Sequence, residues 1–152
     1  MNTPADHTSL LYLWSTYFHQ KNVEHAILFL VSSLSIEFHI KACDAYFHCL
    51  INVGYLDLAE MVFENYKRDL KKVNNHLPDH CFGVLEMAAG NYETAANTFK
   101  KIKPPIDSSL YYYCAAHAKF SKGNAINADK LVKKALHIND NRKEFLELEA
   151  KI

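Results

Sequence analysis

Three of the chain's four glycines, Gly54, Gly90 and Gly123, fall 36 and 33 residues apart. Counting 33 residues back from Gly54 reaches Lys21, inside the polar break Gln20-Lys21-Asn22. Each break is followed, five residues on, by an alanine: Ala26, Ala59, Ala95 and Ala128. Four residues after each alanine stands a larger apolar residue: Leu30, Phe63, Phe99 and Val132. A glycine at the end of a helix can take the positive φ that stops it. A small residue one turn into the next helix lets two backbones approach, and the i, i+4 spacing puts small and large side chains on one face. The pattern therefore predicts helix, short turn, helix, repeated four times.

Little else punctuates the chain. Glycine and proline number four each, and no Asn-Gly or Asp-Gly hairpin signal occurs, so long helices are expected and strands are not. The predicted pairs lie near 8–35, 37–71, 79–102 and 107–138. The polar stretch Lys72–Pro78 is expected to be a loop, and Lys103-Pro104-Pro105 a rigid break. Residues 141–152 form a last amphipathic segment, with Phe145, Leu148 and Ile152 on one face, suited to covering the exposed end of a repeat array.

A period near 34 is the tetratricopeptide (TPR) length. Gly83, Gly90, Tyr92, Ala95 and Phe99 match that family's pattern in the third repeat, and Lys134-Ala135-Leu136-His137-Ile138-Asn139-Asp140 is a common TPR ending. The chain thus resembles a TPR protein over nearly its whole length. The resemblance implies one all-α domain, residues 1–152, of antiparallel helix pairs stacked in a right-handed superhelix with a C-terminal capping helix. The first repeat departs most: Lys21 replaces the turn glycine, and Trp14 fills a position that is usually small.

In this family the first helix of each repeat lines a concave groove. By repeat register the groove would carry Leu11, Ser15 and Phe18, then Asp44 and His48, then His80, Val84 and Met87, then Tyr113, His117 and Phe120. That lining is apolar, aromatic and histidine-rich, and it suits an amphipathic helix or an extended apolar peptide. The lysine, asparagine and arginine with which some family members clamp acidic chaperone tails are missing, since Leu11, Ser15, Asp44, His48, Leu77 and Cys81 stand at or near those places. His48, His80 and His117 have no coordinating spacing such as His-x-x-x-His, so no metal and no cofactor is expected. Asp44 and His48 sit four apart on one helix face and are expected to satisfy each other. Tyr111-Tyr112-Tyr113 spreads over roughly 200° of a helix and forms no stacking platform.

Composition narrows the function classes. Hydrophobic residues make up 49% and charged residues 22%, which excludes a largely disordered chain. Basic and acidic residues number 17 each, so no overall field draws the chain to nucleic acid or membrane. The charges are unevenly placed, however: residues 1–65 hold two basic against seven acidic side chains, and residues 66–152 hold fifteen against ten. The longest apolar stretch, Ala26–Ile36, is broken by three serines and falls short of the roughly 20 residues of a membrane span. The N-terminus carries Asp6 and no basic region of a secretory signal. Cysteines 43, 49, 81 and 114 form no C-x-x-C pair and read as buried thiols in a reducing compartment, cytoplasmic or nuclear. No phosphate-cradling loop, nucleophile elbow or H-E-x-x-H motif is present, so catalysis is not expected.

Residues 14–59, chiefly Ala26–Ala59 with Lys41-Ala42, Tyr46, Cys49 and Gly54 in compatible places, also resemble the N-terminal repeats of TPR scaffold subunits of the anaphase-promoting complex. That likeness implies a protein-binding scaffold that pairs as a homodimer through its first repeats, with Leu10, Trp14, Tyr17 and Phe18 as candidate self-association residues. The alternative is a small TPR chaperone, like the class II chaperones of type III secretion, holding an apolar client segment in its groove.

Overall fold

The computed structural model describes residues 40–152, together with Leu28 and Val31, which are helical. Leu10, Leu11, Trp14, Ser15, Tyr17 and Phe18 lie outside the described residues. The described chain is all-α: seven helices and no strand. They are α1 (Ile40–Asn52), α2 (Leu56–Val73), α3 (Leu77–Ala88), α4 (Tyr92–Lys101), α5 (Ser108–Ser121), α6 (Ala125–Ile138) and α7 (Lys143–Lys151). They fall into two units, Met1–Asn75 and His76–Ile152.

One turn joins three of the pairs. Gly54, Gly90 and Gly123 all have positive φ, at 86°, 86° and 80°. At each, the glycine N–H donates to the carbonyl three residues back (Ile51, Met87, Phe120), and the next N–H donates to the carbonyl five back (Leu50, Glu86, Lys119). These two bonds are the left-handed C-terminal motif that ends a helix while satisfying its last carbonyls. The residue after the glycine (Tyr55, Asn91, Asn124) immediately caps the following helix, with φ of −85°, −86° and −93°. Its carbonyl accepts from the N–H of Ala59, Ala95 or Ala128 at 3.0–3.1 Å. All three alanines are fully buried, as is Val132, and Phe63 and Phe99 are nearly so. The turn, the small residue and the large residue therefore act as one repeated device.

In the first unit α1 packs on α2 through Ala42, Phe47, Cys49 and Leu50 against Ala59, Val62, Phe63 and Leu70. In the second unit each helix packs on its sequence neighbours from α3 to α7. α3 approaches α4 closely at Gly83, where an added Cβ would come within 2.6 Å of the Phe99 ring. The sequence predicts a helix from 79, yet α3 begins at Leu77 and takes Pro78 into its first turn. Proline fits there because the first-turn N–H has no intrahelical acceptor to lose.

α5 is capped by Asp107, whose Oδ1 accepts from the backbone N–H of Ser109 at 3.0 Å and from its hydroxyl. Ser109 is fully buried and is the only buried polar residue of the described chain. α7 closes the second unit: Phe145 and Leu148 are buried, and the Phe145 ring stacks on Tyr113 at 4.9 Å. The Arg142 guanidinium lies 5.1 Å over the Phe145 ring and reaches Asp107 Oδ2 at 3.4 Å, so the cap is tied to the start of α5. All four cysteines are buried thiols.

Candidate interaction surface

The expected groove residues of the second unit fall on α3 and α5. Val84 and Tyr113 are buried, while His80, Met87, His117 and Phe120 are half-buried. In the first unit, Asp44 is exposed and His48 half-buried on α1. They form the expected pair, with His48 Nε2 at 3.3 Å from Asp44 Oδ1.

The two expected groove histidines of the second unit are engaged separately. His80 packs against the Phe99 ring of α4, with centroids 5.7 Å apart. His117 lies flat on Tyr92 at 3.7 Å and 5° and meets Tyr113 edge-on at 5.6 Å. Tyr92 in turn meets Tyr113 edge-on at 6.0 Å. The rings of α4, α5 and α7 thus run as one chain from Tyr92 through His117 and Tyr113 to Phe145. His117 Nδ1 is buried with no hydrogen-bond partner. Burial, and then the Lys151 ammonium, lower the His117 pKa from its ordinary value and favour the neutral ring. Burial, with help from Tyr92, holds the Tyr113 phenol protonated well above its usual range. These groups brace the packing of α4, α5 and α7.

Burial also pushes the Cys114 thiol up to about 12 against a partial pull down from Arg142, which keeps it out of the reactive thiolate form. Among the described residues no three His, Cys, Asp or Glu side chains converge as metal ligands. Among the same residues no helix is long and apolar enough to cross a membrane. At the turn end of α4 and α5, Lys122 donates to Glu93 at 2.7 Å across an open cleft of about 280 Å³. That contact pulls the Glu93 carboxyl below its usual range.

The opposite end of the second unit is different in charge. Lys134 stands 5.7 Å over the Tyr112 ring, in an open cleft of about 350 Å³ that Lys130, Lys133, His137 and Ile138 complete. The C-terminal end of α4 adds a second open cleft, about 600 Å³, lined by Asn97, Lys100, Lys101 and Lys103. The sequence shows these lysines as two separate runs, but does not set Lys134 over Tyr112. Only the antiparallel return of α6 along α5 does that. Compared with protein-family models and with curated proteins, the sequence matches none of them.

Proposed function

We propose that the chain is a TPR-like helical array that binds other proteins, carries out no chemistry and acts as a self-associating scaffold within a larger assembly. The observation that carries this reading is the threefold turn at Gly54, Gly90 and Gly123, with its buried alanines. A device repeated in sequence and in hydrogen bonds supports a reading as repeated helix pairs, and helical repeats of that kind present extended surfaces rather than enclosed polar sites. The protonated Cys114 thiol and Tyr113 phenol fit a binding role better than a catalytic one. The half-buried Met87, His117 and Phe120 offer apolar and aromatic area of the kind that dominates protein interfaces.

Light scattering on a sizing column, from high nanomolar to about 100 μM, tests the self-association. A mass that stays near twice 17.4 kDa supports the scaffold. A monomer at the highest concentration removes the homodimer and leaves a monomeric binder.

A further inference from the structure

We infer that the lysine-rich end of the second unit is a docking site for an acidic, partly apolar segment of a partner protein. This rests on the protein-binding reading above and names the partner's chemistry. It lies at the ends of α4 and α6, away from the first-helix faces where the family resemblance places a groove.

The topology assembles the site. α4 runs into α5 through the short connection at residues 102–107, and α6 returns antiparallel along α5. The C-terminal halves of α4 and α6 therefore flank the N-terminal half of α5, and the Lys134–Tyr112 contact shows the closure on one side. Lys100, Lys101, Lys103, Lys130 and Lys134 are all exposed, and none makes an ion pair among the described residues. Only Lys133 is neutralised, by Asp129 at 2.7 Å.

Favourable interaction with helix C-termini explains part of this charge, since Lys100 and Lys101 lie in the last turn of α4. It does not explain Lys103, which lies past the helix, or Lys130 and Lys134, which precede the last turn of α6. Lys130 and Lys134, four apart on α6 and in one cleft, leave like-charge repulsion that an incoming carboxylate would relieve. Apolar area accompanies the charge: Ile138, 47% exposed, shares the cleft of the half-buried Tyr112, and Ile106, 42% exposed, lies in the connection between α4 and α5.

That mixture fits a segment alternating carboxylates with apolar anchors, where charge steers the encounter and the isoleucines and tyrosine hold it. It fits nucleic acid less well. Arginine forks for phosphate are absent from these clefts, and Tyr111 and Tyr112 tilt 59° to each other instead of offering parallel platforms.

The probe is a fluorescein-labelled 16-residue peptide of glutamates and leucines in helical i, i+3, i+4 spacing, titrated with the full chain at about 150 mM salt. Fluorescence anisotropy should give saturable binding. Lys101→Glu with Lys134→Glu should weaken it roughly tenfold or more, and the milder Lys101→Gln with Lys134→Gln should weaken it less. Lys67→Glu with Lys71→Glu, on α2, should leave it nearly unchanged. Three results overturn the site: no saturation with the wild-type chain, equal loss from the α2 variant, or tighter binding of a single-stranded 16-mer RNA than of the peptide. The first two leave protein binding elsewhere on the array intact, whereas the third also counts against the protein-binding reading.

Discussion

The His117 imidazole lies flat on the Tyr92 ring, with centroids 3.7 Å apart and planes 5° from parallel. The contact joins α5 to the start of α4 and leaves Nδ1 buried without a partner. Protonation would charge a half-buried ring and set it against the Lys151 ammonium, and these two effects lower the histidine's pKa. The folded chain therefore binds this proton less readily than the unfolded chain, whose histidine titrates near 6.5. The stabilising contribution is complete above that pH and is lost as pH falls through the lowered folded value. His117→Phe keeps a flat aromatic ring and removes the titration. Between pH 7.5 and 5 the wild-type melting temperature should fall more than that of His117→Phe, and parallel curves would rule out the linkage.

Much of the architecture is legible in the sequence because it is punctuated locally. Gly54, Gly90 and Gly123 mark turns through their own backbone preference, and the buried alanines follow at a fixed offset. Phe145 and Leu148 declare the closing helix by their spacing. What stays hidden depends on residues distant in the chain. Nothing local to His117 names Tyr92 as its stacking partner. Repeat register places Val84 and Tyr113 on an inner helix face, but only the packed neighbours decide that they are buried while Met87 and Phe120 remain half-open. Ser109 carries no apolar signal, and its burial follows from Asp107 satisfying its hydroxyl.

Two glycines of the second unit should respond to substitution for different reasons. Gly83 has ordinary helical backbone, so alanine would gain about 1 kcal/mol of helix propensity. Its Cβ, however, would sit 2.6 Å from the Phe99 ring, which is buried and has nowhere to swing. Overpacking of this kind costs about 1–3 kcal/mol, so Gly83→Ala should lose about 1 kcal/mol net in urea unfolding. Phe99→Leu should reverse part of that loss in the double variant. Gly90 has no atom within 4 Å of an added Cβ, but its φ is +86°. Gly90→Ala should lose about 1–2 kcal/mol by backbone strain alone. Gly90→Asn should lose less, since asparagine tolerates the left-handed region. An equal response of the two sites to asparagine would refute the distinction.

Asp107 holds two elements at once. Its Oδ1 caps α5 and satisfies the buried Ser109 hydroxyl, and its Oδ2 takes Arg142 at the start of α7. Asp107→Ala removes a cap worth about 1 kcal/mol. It also strands a buried hydroxyl, at a cost of about 1–3 kcal/mol. Asp107→Ala should therefore destabilise by about 2–4 kcal/mol in all. Asp107→Asn keeps an acceptor for Ser109 and should lose less. In an Asp107→Ala background, Ser109→Ala should restore the part of the stability lost through the unsatisfied hydroxyl, but not the part lost with the cap. Additive losses in that cycle, measured by denaturant unfolding, would show that Ser109 does not depend on Asp107.

The closing helix should be indispensable to the second unit through one side chain. Phe145 is fully buried, stacked on Tyr113 at 4.9 Å with the Arg142 guanidinium over its ring. Leu146, the next residue, is 46% exposed and touches the core little. Removing a buried phenylalanine ring costs about 3–5 kcal/mol, a large share of the roughly 5–15 kcal/mol that holds a domain together. Phe145→Ala should therefore shift the urea midpoint steeply downward, while Leu146→Ala should change stability by about 0.5 kcal/mol or less. The loss should reach the aromatic chain as well, because Tyr113 supports His117 and Tyr92. Near-ultraviolet circular dichroism of folded Phe145→Ala should show a weakened tyrosine signal. If Phe145→Ala behaves like Leu146→Ala by both measurements, α7 does not cover the core, and the second unit is closed by something other than its last helix.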